Sequence, residues 1–234
     1  VEIRSIADNW QNYTSGTPWA NSASGEYALF RTKVEIPEKF DKKKVVLNIQ
    51  TNKNGWNALN PQMLVYIDGK EHQGLDTNHR EVLLDNCAQK GKVYDIIIYA
   101  FSGLKRNYNV TDDGNEVKLF AELKVIDPLI EDFYYNVKVP LQLISQLPEG
   151  SMDKINLLYI LNDTINKVDL RIPYSQEFYS SLEKANNYIK GNLYLKSNNL
   201  EAMVTCIGHT HIDVAWLWRY CHTREKAVRS FTTV

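Results

Sequence analysis

Two hydrophobic repeats follow one another along the chain. From Tyr27 to about Ile126 apolar and polar residues alternate. Val45, Leu47 and Ile49 are interleaved with Val46, Asn48 and Gln50, the two-residue period of a pleated strand. "KVYDIIIYAF" places Tyr94, Ile96, Ile98 and Ala100 on one side, and "NEVKLFAELKVI" does the same with Val117, Leu119, Ala121, Leu123 and Val125. Asp68-Gly69 sits between two extended runs, and both residue types tolerate positive φ, so a hairpin is predicted there. Five or more strands with short turns and no helical repeat among them predict an antiparallel β-sandwich, jelly-roll-like in character.

The period then lengthens. Leu157, Leu161, Ile165 and Val168 form one helical stripe. Phe178, Leu182 and Ala185 form another, with Gly191-Asn192 as its predicted stop. Phe133, Val137, Leu141 and Ile144 share helical spacing too, but Pro140 removes a donor inside that run. One kinked helix, or a second helix starting at Pro140, satisfies the pattern, and the kink is preferred.

A third zone is short. "AMVTCIG", residues 202–208, reads as a strand, and "AWLWRYCHTREKAVRSF", residues 215–231, as a helix with the polar stretch between them as a loop. Strand, loop and helix in that order make the first β–α unit of a (β/α) barrel-like domain, whose chemistry sits at the strand's carboxyl end. The expected organisation is a β-sandwich over residues 1–127, a helical linker over 128–198, and the opening of a catalytic domain over 199–234.

Charge and composition narrow the partners. Lysine and arginine number 27 against 28 aspartate and glutamate, so no net field favours nucleic acid or an anionic membrane. No run of eighteen apolar residues is present to span a bilayer. Cys87, Cys206 and Cys221 are odd in number and contain no CxxC pair. A disulfide framework is therefore not expected, and a reducing, cytoplasmic location fits. The 14 tyrosines and five tryptophans suit sugar handling and suit strand cores equally.

The candidate chemistry lies in "IGHTHIDVAWLWRY". On extended backbone, residues two apart point the same way, which would put His209, His211 and Asp213 on one face. Imidazole and carboxylate together suit zinc or a similar divalent ion. Asp213 alone would read as a helix N-cap. Trp216, placed on the first helical turn, could offer its indole face to a sugar.

"GHTHIDVAWLWRYCHTREKAVRSF" resembles the first metal-binding segment of family 38 glycoside hydrolases, the α-mannosidases, in their bacterial and vacuolar-type branch. "PQMLVYIDGKEHQGLDTNHREVLL", Pro61 to Leu84, resembles the β-rich domain that precedes the catalytic domain there. The resemblance implies that His211 and Asp213 are metal ligands, that His209 leads the motif without ligating, and that Trp216 packs against the sugar. It implies zinc, or another divalent metal, and a mannose-containing oligosaccharide substrate cleaved with retention through a covalent glycosyl-enzyme. It places the nucleophile, the general acid and the remaining ligands beyond this segment, so no catalytic residue falls within the chain, and the fragment alone is expected to be inactive and to fray or associate after about residue 195. A homo-oligomer is compatible with the resemblance. The "GLDTNH" loop, Gly74 to His79, is expected near the rim of the active site. The alternative is a non-catalytic carbohydrate-binding or scaffold module, with Trp19 or Trp56 exposed to stack on sugars.

Overall fold

The alternating segments form eight strands: β1 (Pro18–Asn21), β2 (Tyr27–Glu35), β3 (Lys44–Thr51), β4 (Gln62–Ile67), β5 (Lys70–Leu75), β6 (Glu81–Asp85), β7 (Val93–Phe101) and β8 (Glu116–Ile126). The computed structural model describes residues 10–22, 24–53, 61–76, 78–104, 116–195, 205–216 and 218–233. The strands build two four-stranded sheets, ordered β1-β8-β3-β6 and β2-β7-β4-β5. The pairs β1–β8, β3–β6, β2–β7, β4–β7 and β4–β5 are antiparallel. Apart from the β4–β5 hairpin, each strand is followed by one in the opposite sheet. That path needs tight reversals, and at the hairpin Asp68 and Gly69 supply φ of 51° and 78°.

One core lies between the sheets. Val45, Leu47, Ile49, Val82 and Leu119 come from the first sheet, and Met63, Val65, Ile96, Ile98 and Ala100 from the second. The predicted face of β7 is thus the one in the core, whereas β3 is buried on both faces, with Val46 and Asn48 as covered as Val45, Leu47 and Ile49. β8 departs from its pattern at Ala121, which is exposed where a cavity opens beside Tyr13 and Phe30. Trp19 does not stand free for a sugar. It packs edge-on against Phe30, 5.8 Å between ring centres, at the margin of the core. Trp56 lies outside the described residues.

Residues 1–125 and 208–234 form one compact unit, and residues 126–207 the other. The second unit holds α1 (Pro128–Ile144), α2 (Met152–Ile165) and α3 (Gln176–Ile189). Asp127 accepts from the backbone N–H groups of Leu129 and Ile130, and Pro128 occupies the first helical position, where no donor is needed. α1 continues through Pro140, which is buried, so no second helix begins there. α2 ends at Ile165, leaving Val168 beyond it and Ile165 45% exposed; the stripe that buries is Leu157 and Leu161 against Ile144 and Ile189. Gly191-Asn192 does not stop α3. The chain widens into a π-helical turn, Lys190–Tyr194, in which Leu195 N–H donates to Lys190 O and the Asn192 side chain donates to Tyr188 O.

The last described segment differs most from expectation. Residues 205–213 adopt no regular structure, and residues 205–209 are exposed. The expected strand is absent over 205–208, while residues 201–204 lie outside the described set. Among the described residues no neighbouring strand offers them an edge. The helix α4 (Tyr220–Thr233) does form, but five residues later than the pattern suggested. Ala215, with φ of 56°, turns the chain before it. Trp216 is therefore on a bend and not on a helical turn, and Asp213 is too far upstream to be an N-cap. No helix among the described residues is long and apolar enough to cross a membrane. The three cysteines are free and exposed.

Candidate functional site

α4 is held on the sheet that contains β4, β5 and β7. A Cβ on Gly74 in β5 would lie 2.6 Å from Arg229 O, so the helix backbone rests directly on the strand where no side chain intervenes. Glu225 receives hydrogen bonds from two phenols, Tyr27 at 3.0 Å and Tyr99 at 3.1 Å. Burial, and then the Glu225 carboxylate, push both phenols far above their ordinary pKa, so they remain donors at any physiological pH. Arg229, 9% exposed, donates to Gln62 at 2.6 Å and lies 3.9 Å from Glu225. Burial draws its pKa down, and the nearby Glu225 opposes that.

The start of α4 is fixed by two adjacent side chains. His222 Nδ1 accepts the Arg219 N–H at 3.1 Å, the role a glutamate at this position plays in a capping box. Its ring stacks on Phe101 at 5.3 Å. Thr223 Oγ1 then gathers the loop: it accepts from Ala215 N–H (3.2 Å) and Trp218 Nε1–H (3.0 Å) and donates to Asp213 O (3.4 Å). One donor and two lone pairs are all a hydroxyl has, and all three are used. Trp218 also meets Trp216 edge-on at 5.7 Å and carries the Lys226 ammonium 4.5 Å from its ring centre.

His211 and Asp213 come together as the motif requires. Nε2 of His211 lies 2.9 Å from Oδ1 of Asp213, with the two side chains 78% and 41% exposed. Two ligands on one tetrahedral zinc, each about 2.0–2.1 Å from the ion, sit roughly 3.3 Å apart. The pair fits that bite after opening by about half an ångström, and its nitrogen and oxygen donors are the types zinc accepts. Among the described residues no group of three or more histidine, cysteine, aspartate or glutamate side chains converges. By themselves His211 and Asp213 could supply two donors to a cation and do not make up a complete site. Trp216 is 61% exposed on the loop that carries them.

His209 goes elsewhere. It lines a cavity of about 560 Å³ with Thr210, Asp76, His79, Lys226 and Ser230. Asp76 and His79 thus share a cavity with the motif's leading histidine. Asp76 Oδ1 accepts the N–H groups of Asn78 and His79, each at 2.8 Å, and lies 3.0 Å from His79 Nδ1. Burial raises the Asp76 carboxyl, but these backbone and imidazole contacts outweigh it and hold the pKa below the ordinary value. Sequence reasoning passed over Gly74, Thr223, Glu225 and Arg229. A glycine inside a strand, and a Glu–Arg pair four apart on a short helix, were the available signals.

Comparison with known proteins agrees with this placement. Residues 201–234, which contain the His211–Asp213 loop and α4, match the Glycosyl hydrolases family 38 N-terminal domain. A relative is "Alpha-mannosidase G" of Dictyostelium discoideum, 29% identical over 114 residues. That stretch covers 48% of this chain and 10% of the relative's length. The first likeness covers residues 201–234 alone, and the second spans about a tenth of the relative's length.

Proposed function

We propose that the chain is the amino-terminal part of a metal-dependent retaining α-mannosidase. In this reading the two sheets are its jelly-roll-like β-sandwich domain, residues 128–198 are a helical linker, and residues 199–234 open the catalytic domain. The carrying observation is the 2.9 Å pairing of His211 and Asp213 inside the segment that matches family 38. His211 Nε2 and the Asp213 carboxylate would hold zinc, or another divalent cation, as two of its ligands. When bound, the cation supplies Lewis acidity toward the hydroxyls of a mannose ring. The chain's own residues do the placing: Asp213 is fixed through its carbonyl, and Trp216 presents an apolar face for the sugar. The nucleophile and general acid lie outside these residues. The substrate is a mannose-containing oligosaccharide, and the cavity between Asp76, His79 and His209 is suited to hydroxyl-rich groups beside it. The packing of Trp19 into the core argues against an independent sugar-binding module.

The test uses the full-length protein with an aryl α-mannoside. EDTA should abolish cleavage and zinc should restore it, while His211→Ala and Asp213→Ala each lower both zinc retention and kcat/KM by about 100-fold or more. Full activity in protein shown to contain no divalent metal would overturn the reading.

A further inference from the structure

We infer that Thr223 is the positioning residue for the His211–Asp213 pair, setting the loop's backbone from the helix that follows it. The inference rests on the reading of that pair as metal ligands. Residues 205–213 of the loop have no regular secondary structure, and the His211 and Asp213 side chains are 78% and 41% exposed. Ordering such a segment costs conformational entropy at every residue, so its geometry has to be imposed from outside. Ala215 adds to the need, because a non-glycine residue at φ of 56° persists only where its surroundings hold it.

Thr223 is that hold. It is 8% exposed, and its single hydroxyl reaches residues eight and ten positions back, as well as the Trp218 indole. The Asp213 carbonyl it binds belongs to a ligand residue, so the bond fixes the point from which the carboxylate departs. The Ala215 N–H it receives locks the strained turn that follows. Thr223 is in turn immobile, because the preceding His222 stacks on Phe101 and Glu225 is clamped by Tyr27 and Tyr99. Register thus passes from the sheet to α4, from α4 to one hydroxyl, and from that hydroxyl to the ligand loop. Removing the hydroxyl while keeping the side chain's shape separates this role from packing.

The experiment measures zinc affinity by competition with a chromogenic chelator in full-length protein carrying Thr223→Val or Thr223→Ser. Hydrogen exchange of the Trp218 indole N–H in the metal-free protein, followed by NMR, gives a second readout. Valine should weaken zinc binding about 10–100-fold and accelerate indole exchange, whereas serine, which keeps the hydroxyl, should stay within about threefold of wild type on both. Should the valine variant not fold, Thr223→Ala compared with Thr223→Ser makes the same measurement. Zinc affinity unchanged by valine, or lost equally with serine, overturns the positioning role. His211→Ala distinguishes the two levels. If it too leaves zinc affinity unchanged, the metal reading itself has failed; if it weakens binding while Thr223→Val does not, only the role of Thr223 has.

Discussion

A methyl group at Gly74 has nowhere to go. Its nearest neighbours would be Arg229 O at 2.6 Å and Arg229 Cα and Cβ at 2.9 Å, which are backbone and the root of a buried side chain. Relief requires α4 to lift from β5, which loosens Glu225 and Arg229 together. Gly74→Ala should therefore destabilise the protein by about 1–3 kcal/mol, the usual cost of overpacking. Gly69→Ala, where a Cβ meets nothing within 4 Å but φ is 78°, should act only through local backbone strain and leave α4 docked. Urea unfolding compares the two, with tryptophan emission reporting on the loop ahead of α4. At this scale the approach of His211 to Asp213 was legible, because side chains two apart on extended backbone share a face. Thr223 was not, since a threonine in a helix signals nothing until its partners are seen.

Strands and helices were read well where one repeat dominated a segment. β7 turns into the core the face its alternation specified, and the Asp-Gly hairpin forms with both residues at positive φ. Segments governed by neighbours were read less well. Residues 205–208 end an apolar run of strand composition yet form no strand, since a strand needs an edge to pair with. α4 starts at Tyr220 because the His222 imidazole and Thr223 hydroxyl organise its first turn, drawing Trp216 and Trp218 out of the helix. One contact between elements is testable by pH. Asp85, closing β6, accepts from Cys87 N–H, from the Lys92 ammonium just before β7, and from the Tyr94 phenol. These donors hold its pKa at about 2, below the ordinary aspartate value of about 3.9. A depressed carboxyl stabilises the fold above its unfolded pKa and loses that contribution as pH falls through the folded one. Asp85→Asn should thus melt below wild type at pH 6, with the gap closing between about pH 4 and pH 2. A gap that persists undiminished at pH 2 would mean that charge is not what joins the two strands.

At the scale of the whole molecule, α4 and the sheet stabilise one another. Leu64 and Phe101 are 3% and 7% exposed, on strands whose other face already fills the core; the covering groups include Val228 and His222 of α4. Protein ending at residue 207 should consequently bind an environment-sensitive apolar dye and melt several degrees lower, as expected when large apolar groups lose their cover. Equal dye binding by the longer and shorter forms would show that α4 rides on the sheet without protecting it. Periodicity could not reveal this return of the chain, because it reports which faces are apolar and not which distant segment meets them. The same arrangement sets a schedule during synthesis. The strands leave the ribosome first, but the helix that completes their outer face follows about a hundred residues later, roughly 5–20 s at ordinary elongation rates. For that interval a nascent chain carries a bare, sticky surface, making this stretch of translation the natural moment for a chaperone to engage it.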